Sequence, residues 1–385
     1  MTEKIKILIA MEGVLGGTLR HLDYLLRYAD PEEFEIHLAV SANRAPHVRA
    51  DFRRWSEGGW KVHEIAMRRE PRPSIDLQTL RRVVSLCHQH RFDVVHTHCA
   101  KAGFIGRLAA RCCGSPTIHT PHVFPFSHVG EGLERTMYLA LERLAARWTD
   151  RFVVLSNYQK NVLIDSMPVD PARAELIPNG LLPEEWEGPD RRQAREALDL
   201  PLEARLALFA GRFRLQKGPD ILLSAAEKMR RASEDLKIVM VGEGPMEDWI
   251  RSRIRSQGLS ERVLFCGYSD SMPLYYAASD LVVMPSRAEG MPYVLLEAKA
   301  AGRPVVATLV TGMEEFVEHG KDGFLIPPEH PGALANTLQE LLPSPERLKA
   351  VGKAARADFR ECWEAPAAAE AVFKLYRELG GGAEQ

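Results

Sequence analysis

The chain of 385 residues is long enough for two or three domains of about 150 residues each. With 45% hydrophobic and 26% charged residues, it has the composition of an ordinary globular protein. Its 50 basic and 52 acidic side chains leave a formal net charge of −2. Because proteins that coat nucleic acid carry a basic excess, we expect no nucleic-acid partner.

Neither the apolar runs nor the cysteines indicate a membrane-spanning or disulfide-bonded protein. No apolar stretch approaches the ~18–20 residues that span a bilayer, and the early run Ile7–Met11 is too short for a signal-peptide core. The six cysteines include no Cys-x-x-Cys pair, so neither a zinc knuckle nor a disulfide framework is indicated. We therefore expect a cytoplasmic protein.

Short β-branched runs recur without clean apolar–polar alternation, which is typical of parallel strands buried on both faces. Most gaps between them hold about 15–30 residues with helical patterns, as crossovers between parallel strands require. The predicted strands of the first half are Ile5–Ala10, Ile36–Val40, Val62–Ala66, Val94–His98, Thr117–Thr120, Phe152–Ser156 and Glu175–Pro178. Those of the second half are Leu206–Gly211, Lys237–Gly242, Val263–Gly267, Leu281–Ser286, Pro304–Thr308 and Phe324–Pro327.

These elements predict an α/β protein with two doubly wound, Rossmann-like domains that face each other across a cleft. We place the domains at residues 1–180 and 191–364, because the stretch 181–190 is dense in turn formers and acids and is typical of a linker. Residues 365–385 carry a helical pattern, and we expect a helix and tail that cross back to the first domain. Ligands of open α/β sheets bind at the carboxyl ends of the strands, so functional motifs should follow strands.

The stretch from Ser286 to Pro304 contains a strand end, a loop with Glu289, and a helix whose first turn suits Pro292. The unpaired N–H groups at that helix start form an anion site, suited here to a diphosphate. Glu297 lies five residues beyond Pro292, ~7.5 Å along the axis, within reach of a hydroxyl of an attached ribose. The alternative is that both glutamates lie on the surface of an amphipathic helix.

A second stretch places Arg212 directly after a strand end at Gly211, and Lys217 just before a helix that follows Gly218. Two cations beside glycines suit the close approach of a pair of phosphate groups. The pattern is not a P-loop, so the phosphates are not held as in a nucleotide hydrolase. A solvated turn is the alternative interpretation.

Two glycine clusters, Gly16-Gly17 after the first strand and Gly242-Glu-Gly244 after another, are either ligand contacts or plain turns. Neither is the dinucleotide fingerprint, so a nicotinamide oxidoreductase is disfavoured and no cofactor is expected. The chain contains no Asp-x-Asp, so the metal-bridged way of holding a sugar nucleotide has no evident ligands. We expect no metal site.

Histidines follow two further strands. His96 and His98 end one strand, Lys101 follows three residues later, and His119 and His122 lie at the end of the next strand. A single histidine is more often a structural residue, but four at neighbouring strand ends favour a functional site. No carboxylate lies at ligand spacing, so these histidines do not predict a zinc site.

Together these motifs resemble the retaining nucleotide-sugar glycosyltransferases of family four, which have the two-domain GT-B fold. The resemblance covers essentially the whole chain, and its most specific parts are Gly-Arg…Lys-Gly at 211–218 and Glu-x₇-Glu at 289–297. It implies a metal-independent hexosyl- or related transferase that moves a sugar from a nucleotide-diphosphate sugar to an acceptor hydroxyl. The implied setting is glycan, exopolysaccharide or glycolipid biosynthesis, with a sugar, lipid-linked or small-molecule acceptor.

The resemblance also assigns roles to residues. Arg212 and Lys217 would stabilise the leaving diphosphate, Glu289 would hold the donor sugar, and His122 would lie near that sugar, which makes these four the expected catalytic residues. Glu297 would bind the donor ribose. The implied donor-binding set is Gly16, Gly17, Arg212, Lys217, Gly242, Tyr268, Glu289, Gly290, Met291, Pro292 and Glu297. The implied acceptor-side residues are His98 and Lys101.

Three alternatives to a glycosyltransferase stay open. A nucleotide-sugar epimerase or hydrolase shares the architecture and would release a changed sugar without an acceptor. A glycosyl phosphorylase would need inorganic phosphate, and a non-catalytic sugar-nucleotide-binding protein would bind the donor without turnover. The sequence assigns neither the sugar, the base and the acceptor nor the oligomeric state.

Residues 44–82 hold ten basic side chains against five acidic ones, with Phe52, Trp55 and Trp60 among them. One interpretation is a solvated helix face and loop. The other is a peripheral dock for an anionic membrane surface or a lipid-diphosphate acceptor. Each clustered Lys or Arg contributes ~1 kcal/mol near such a surface, and aromatic side chains would anchor in the interface. The basic residues are Arg44, Arg49, Arg53, Arg54, Lys61, Arg68, Arg69, Arg72, Arg81 and Arg82.

Overall fold

The computed structural model describes residues 3–43, 45–68, 72–127, 130–229 and 235–381. The chain divides into two units, one with the bounds Met1–Gly180 and Ala365–Gln385 and the other with the bounds Leu181–Glu364. None of the described helices has both the length and the apolar character that a bilayer crossing needs.

In the first unit, seven strands of the described residues form a wholly parallel sheet. In chain order they are β1 (Ile5–Met11), β2 (Phe34–Val40), β3 (Lys61–Glu64), β4 (Val94–His98), β5 (Thr117–Thr120), β6 (Arg151–Val154) and β7 (Ala174–Leu176). Their order across the sheet is β3-β2-β1-β4-β5-β6-β7.

Helices cover both faces of this sheet. The helices between its strands are α1 (Gly17–Tyr28), α2 (Arg49–Glu57), α3 (Pro73–His90), α4 (Ala100–Cys113), α5 (Leu133–Ala146) and α6 (Asn157–Ser166). Because side chains alternate along a strand, Ile7 and Ile9 share a core with Leu22 of α1, whereas Leu8 shares a core with Val83 of α3. This burial on both faces explains why the strands are continuous apolar runs.

The second unit repeats this architecture with a six-stranded parallel sheet in the described residues. Its helices are α7 (Arg191–Ala197), α8 (Pro219–Lys228), α9 (Glu247–Ser256), α10 (Met272–Ala278), α11 (Tyr293–Ala300), α12 (Pro331–Leu341) and α13 (Pro345–Ala357). Its strands are β8 (Arg205–Ala210), β9 (Leu236–Val241), β10 (Val263–Gly267), β11 (Leu281–Met284), β12 (Val305–Thr308) and β13 (Gly323–Ile326), in the order β10-β9-β8-β11-β12-β13.

In each sheet, the side on which successive strands are added changes at one place, although all strands stay parallel. In the first unit the change lies between β1 and β4, and in the second between β8 and β11. The carboxyl ends of strands at such a switch point form the usual ligand crevice of doubly wound sheets. The prediction of two doubly wound, Rossmann-like α/β domains is confirmed.

The last helix, α14 (Ala365–Gly380), belongs to the first unit. Phe373 packs against Phe34 of β2 with ring centroids 5.2 Å apart, and the hydroxyl of Tyr376 lies 2.7 Å from Nδ1 of His96 on β4. The side chains of Phe373 and Tyr376 are almost fully buried. The helix therefore completes the hydrophobic core over one face of the first sheet.

Residues 181–190, predicted as a linker, are ordered within the second unit. The amide of Leu181 donates to the carbonyl oxygen of Trp363 at 2.8 Å. Trp186 is buried and meets Tyr276 edge-on, with ring centroids 5.4 Å apart. An acidic, turn-rich composition thus accompanies a packed segment, because the side chains of Leu181 and Trp186 are buried.

Two of the three predicted aromatic anchors of the basic segment are buried, and the third is partly exposed. Phe52 and Trp55 face the core of the first unit from α2, three residues apart on one side of the helix, and Trp60 is half-buried against the same core. The prediction that Phe52 and Trp55 anchor in a membrane interface is therefore wrong. The basic residues Arg44 and Arg69 lie outside the described residues.

Several basic side chains of this segment also have acidic partners. Arg49 contacts Glu64 at 2.6 Å, and Lys61 contacts Glu35 at 2.5 Å. Arg54 contacts both Asp23 and Asp51, at 2.6 Å and 2.9 Å. The net positive charge that this segment presents to an anionic surface is therefore smaller than its number of basic residues suggests.

Candidate functional site

The candidate site of the second unit lies at its switch point, where β8 and β11 end. The loop after β8 reaches Gly218, which has φ of 69° and lies so close to the segment after β11 that a Cβ atom there would sit 2.0 Å from the carbonyl oxygen of Pro285. Only glycine fits both this conformation and this contact. The close approach brings Lys217 next to the residues that follow β11.

Lys217 and Glu289 form an ion pair. Nζ of Lys217 donates to both carboxylate oxygens of Glu289, at 2.7 Å and 2.8 Å, and Oγ of Ser286 donates to Oε1 at 2.6 Å. The side chain of Glu289 is 4% exposed, and its amide donates to Oγ1 of Thr311. The carboxylate is therefore fixed in place, and it holds the ammonium of Lys217 at the carboxyl ends of the strands.

Helix α11 begins at Tyr293, one residue later than predicted, with Pro292 as its N-cap. Glu297 projects from this helix and is 5% exposed, and its Oε2 accepts a hydrogen bond of 2.5 Å from the buried hydroxyl of Tyr276. Because Glu289 and Glu297 are both buried, the alternative of two surface glutamates is wrong. Tyr276 of α10 was not anticipated, since it lies 21 residues before its partner.

The other predicted donor contacts follow neighbouring strands of the same sheet. Arg212 follows β8, Gly242 follows β9 and Tyr268 follows β10, so all three lie at the edge where β11 leads to Glu289. Gly242 also has a packing role, because a Cβ atom there would lie 1.9 Å from the carbonyl oxygen of Gly211. Tyr268 is half-exposed, with its hydroxyl directed to Asp270.

A small pocket opens between the ends of β8 and β11. Polar groups of Lys217, Ser286 and Glu289 share it with apolar side chains. Its lining residues are Phe209, Ala210, Lys217, Val283, Met284, Ser286, Glu289 and Val294. The cation and the carboxylate of the ion pair thus border the same pocket.

In the first unit, His98 and His122 come together at the ends of β4 and β5. Nδ1 of His98 lies 3.1 Å from Nε2 of His122. His21 of α1 completes the group, with its ring centroid 5.0 Å from that of His122 and its Nδ1 3.2 Å from Oδ1 of Asn179. Sequence reasoning missed His21, although its position on the helix that begins at Gly17 was an available signal.

Burial keeps these imidazoles neutral. Desolvation lowers the pKa of His21 to about 4, and it lowers the pKa of His98 and of His122 well below the ordinary value. A neutral imidazole accepts one hydrogen bond and donates another, so these rings can orient hydroxyl groups without bringing charge.

His122 also has a strained backbone. Its φ of 57° lies in the left-handed region, which costs about 1–2 kcal/mol for a residue with a side chain. The side-chain amide of Gln159 donates to its carbonyl oxygen at 2.8 Å. Strain that is held by the surrounding structure is typical of functional positions.

The remaining two predicted histidines have structural roles. The ring nitrogens of His96 lie within 2.9 Å of the hydroxyls of Tyr376 and Thr120. Nδ1 of His119 lies 2.9 Å from Oγ1 of Thr97, and its ring packs so tightly that a Cβ atom at Gly103 would sit 2.5 Å away. Only His98 and His122 of the four therefore join the candidate site.

The predicted acceptor-side Lys101 is held by Asp76 of α3 at 2.8 Å. Glu12, which is 4% exposed, accepts from the amide of Ala102 at 3.0 Å and so lies at the start of α4. Gly16 and Gly17 lie at the start of α1, with Gly16 at φ of 55°. A buried carboxylate thus faces the N-terminus of α4, whereas glycines form that of α1.

Two family models match the chain. The family described as "Glycosyltransferase Family 4" matches residues 15–185, and the family described as "Glycosyl transferases group 1" matches residues 190–358.

Curated relatives match over most of the chain. The chain is 32% identical to the UDP-Gal:alpha-D-GlcNAc-diphosphoundecaprenol alpha-1,3-galactosyltransferase of Escherichia coli, over 65% of this chain and 66% of that protein. It is 30% identical to a D-inositol 3-phosphate glycosyltransferase of Segniliparus rotundus, over 82% of this chain and 74% of that protein. The matched part thus spans about two thirds of the first relative and three quarters of the second.

Solved structures share the fold at lower identity. HepE of Anabaena in complex with UDP superposes with a TM-score of 0.78 at 21% identity, over 98% of this chain and 100% of that one. Sucrose-phosphate synthase of Thermosynechococcus elongatus gives a TM-score of 0.82 at 22% identity, over 99% and 100%. Together with the two family models and the curated relatives, these matches show that the chain belongs to the family-four type of glycosyltransferases with the GT-B fold.

Proposed function

We propose that the protein is a retaining, metal-independent glycosyltransferase that moves a sugar from a nucleotide-diphosphate sugar to an acceptor hydroxyl. The observation that carries this proposal is the ion pair of Lys217 with the buried Glu289, at the switch point beside Arg212 and the start of α11. The solved HepE with UDP and the relative that uses UDP-Gal support a nucleotide-diphosphate donor.

The diphosphate would bind to Arg212, Lys217 and the N–H groups at the start of α11. Fixed cations and a helix N-terminus stabilise the charge that develops on the departing phosphate, so the reaction needs no metal to take up that charge. Glu297, held by Tyr276, would accept a hydrogen bond from the ribose. Gly16 and Gly17, Gly242, Tyr268, and the backbone at Gly290 and Met291 are further proposed donor contacts.

Glu289 would bind a hydroxyl of the donor sugar. One carboxylate oxygen accepts from both Lys217 and Ser286, and the other accepts from Lys217, so a sugar hydroxyl would add to a preorganised acceptor. For retention we propose a front-face route, in which the leaving phosphate oxygen takes the proton of the acceptor hydroxyl. A covalent enzyme intermediate is the less favoured route.

We assign His122, His98 and Lys101 of the first unit to the acceptor side and the sugar. The neutral state of both imidazoles suits hydrogen bonding to hydroxyl groups rather than to phosphate. We propose glycan, exopolysaccharide or glycolipid biosynthesis at the cytoplasmic side of a membrane. The diphosphoundecaprenol in the name of the E. coli relative supports a lipid-linked acceptor.

A thermal-shift panel of nucleotide diphosphates and their sugars tests the donor proposal first. A ligand at 100 times its dissociation constant adds ~2.7 kcal/mol to the free energy of unfolding, so one base should stand out. The proposal fails if no member of the panel raises Tm.

The best donor is then incubated with acceptors, and the product is analysed by NMR for its anomeric configuration. Transfer with the configuration of the donor is expected, and chelator should leave its rate unchanged. A changed sugar released without acceptor would identify an epimerase or hydrolase. A requirement for inorganic phosphate would identify a phosphorylase, and binding without turnover a binding protein.

A further inference from the structure

Three histidines outside the candidate site meet in the first unit. His37 lies on β2, His63 on the edge strand β3, and His90 is the last residue of α3. Ala39 pairs with His63 in the sheet register, and His37 lies two residues before Ala39, so His37 and His63 project from the same face. Helix α3 packs on that face, since Ala39 shares a core with Val83.

Coordinating nitrogens of the three rings lie within 4.8 Å of one another. Nδ1 of His37 is 3.0 Å from Nε2 of His63, and the ring centroids of His37 and His90 are 4.3 Å apart. A Zn²⁺ ion binds imidazole nitrogens at ~2.0–2.1 Å, so neighbouring ligand nitrogens around a tetrahedral ion lie roughly 3.4 Å apart. Small rotations of the side chains would therefore bring all three to one ion.

Glu35 provides the outer contact that metal-binding histidines generally have. Its Oε1 lies 2.9 Å from Nε2 of His37, and Lys61 also donates to this carboxylate. With its Nε2–H directed to a carboxylate, His37 has its Nδ1 lone pair on the side of the other two rings.

We propose that His37, His63 and His90 form a structural site for Zn²⁺ or a related borderline divalent ion, with water completing the coordination. Three imidazoles select such ions over Mg²⁺ and Ca²⁺, which prefer oxygen ligands. The ion ties the four-residue edge strand β3 and the end of α3 to β2. This site shares no residue with the proposed transfer site, whose own histidine group of His21, His98 and His122 is the other such cluster in the described residues.

Metal analysis of the untagged protein tests the proposal. The protein is stripped with chelator, dialysed against Zn²⁺ and assayed for bound zinc and for Tm. The variants are His63→Gln and His90→Gln, both at half-buried positions. The control is His88→Gln, which removes an exposed histidine of α3 that is not in the cluster.

Wild-type protein and His88→Gln should each bind one equivalent of zinc more than His63→Gln and His90→Gln, and zinc should raise the Tm of the first two only. Measuring this difference excludes zinc bound by any other histidines. Glu35→Gln should keep the equivalent at saturation but bind it about 10–100-fold more weakly. The proposal would be overturned if the wild-type protein and the three histidine variants, shown by circular dichroism to be folded, had equal zinc content. Loss of the equivalent in His88→Gln would also overturn it.

Discussion

Replacing Lys217 by alanine should damage both the chemistry and the stability of the second unit. Breaking a buried ion pair by removing one partner costs about 3–5 kcal/mol, because the other charge stays buried. Here the Glu289 side chain is 4% exposed and the Lys217 side chain 27%, and Ser286 still donates to Oε1 of Glu289. Since water can enter the space that Lys217 leaves, we expect a loss of about 1–3 kcal/mol, the cost of one unsatisfied buried acceptor.

The loss of turnover should be larger. Removing one preorganised group that stabilises the departing oxyanion costs about 2.7–4 kcal/mol in the transition state, which lowers kcat about 10²–10³-fold. Arg212→Ala should lower kcat by a similar factor. The assay follows transfer from the nucleotide sugar that stabilises the wild-type protein most, alongside urea unfolding of each variant.

A double variant separates the two effects. In Lys217→Ala with Glu289→Gln, the buried carboxylate becomes a neutral amide, so stability should return toward the wild-type value while kcat stays low. Lys228→Ala, which removes an exposed lysine at the end of α8, controls for the loss of one positive charge. The reasoning is refuted if Lys217→Ala turns over like wild type, or if the double variant is no more stable than Lys217→Ala alone.

Four further outcomes are expected. Glu297→Gln should weaken the binding of the donor and of the free nucleotide diphosphate alike. Glu289→Gln should weaken the binding of the donor but leave that of the free nucleotide diphosphate unchanged. Identical binding patterns in the two variants would disprove this division of roles. The pKa of His21 is about 4 in the folded protein, against 6.5 for an ordinary histidine, so between these pH values the unfolded chain binds a proton that the folded protein does not. Stability should therefore fall on acidification, by about 2 kcal/mol at pH 5 from this residue, and an unchanged pH profile in His21→Gln would contradict this. Chelator should leave the transfer rate unchanged at temperatures well below Tm, and inactivation reversed by Mg²⁺ would refute metal independence. Binding to anionic vesicles should fade above ~0.15 M salt, and equal sedimentation of a variant with Arg53 and Arg68 changed to Glu would exclude the membrane dock.

The fold could be predicted from the sequence because its strands are buried on both faces. Continuous apolar runs separated by helical patterns leave few alternatives to parallel sheets, and the linker composition marked the region where the two units meet in sequence. The same logic placed Arg212, Lys217 and Glu289 correctly after strands, because a strand end is a local feature of the sequence.

The contacts within the site could not be predicted in this way. The pairing of Lys217 with Glu289 depends on how closely Gly218 approaches Pro285, and these two residues lie far apart in the chain. His21 joins His98 and His122 from α1 rather than from a strand end, so the rule that functional residues follow strands did not select it. Counting Phe52 and Trp55 among surface residues failed because composition ignores which face of a helix a side chain occupies.

The position of α14 has a consequence for biosynthesis. A ribosome adds about 5–20 residues per second, so roughly 10–35 s pass between the emergence of residue 180 and the arrival of α14, while the roughly 180 residues of the second unit are made. During that interval Phe34 lacks Phe373 and His96 lacks the hydroxyl of Tyr376, so the nascent first unit exposes an apolar sheet face. The second unit has its whole sequence in one stretch and can fold as soon as it leaves the ribosome. The half of the protein that is made first is therefore the half that finishes folding last.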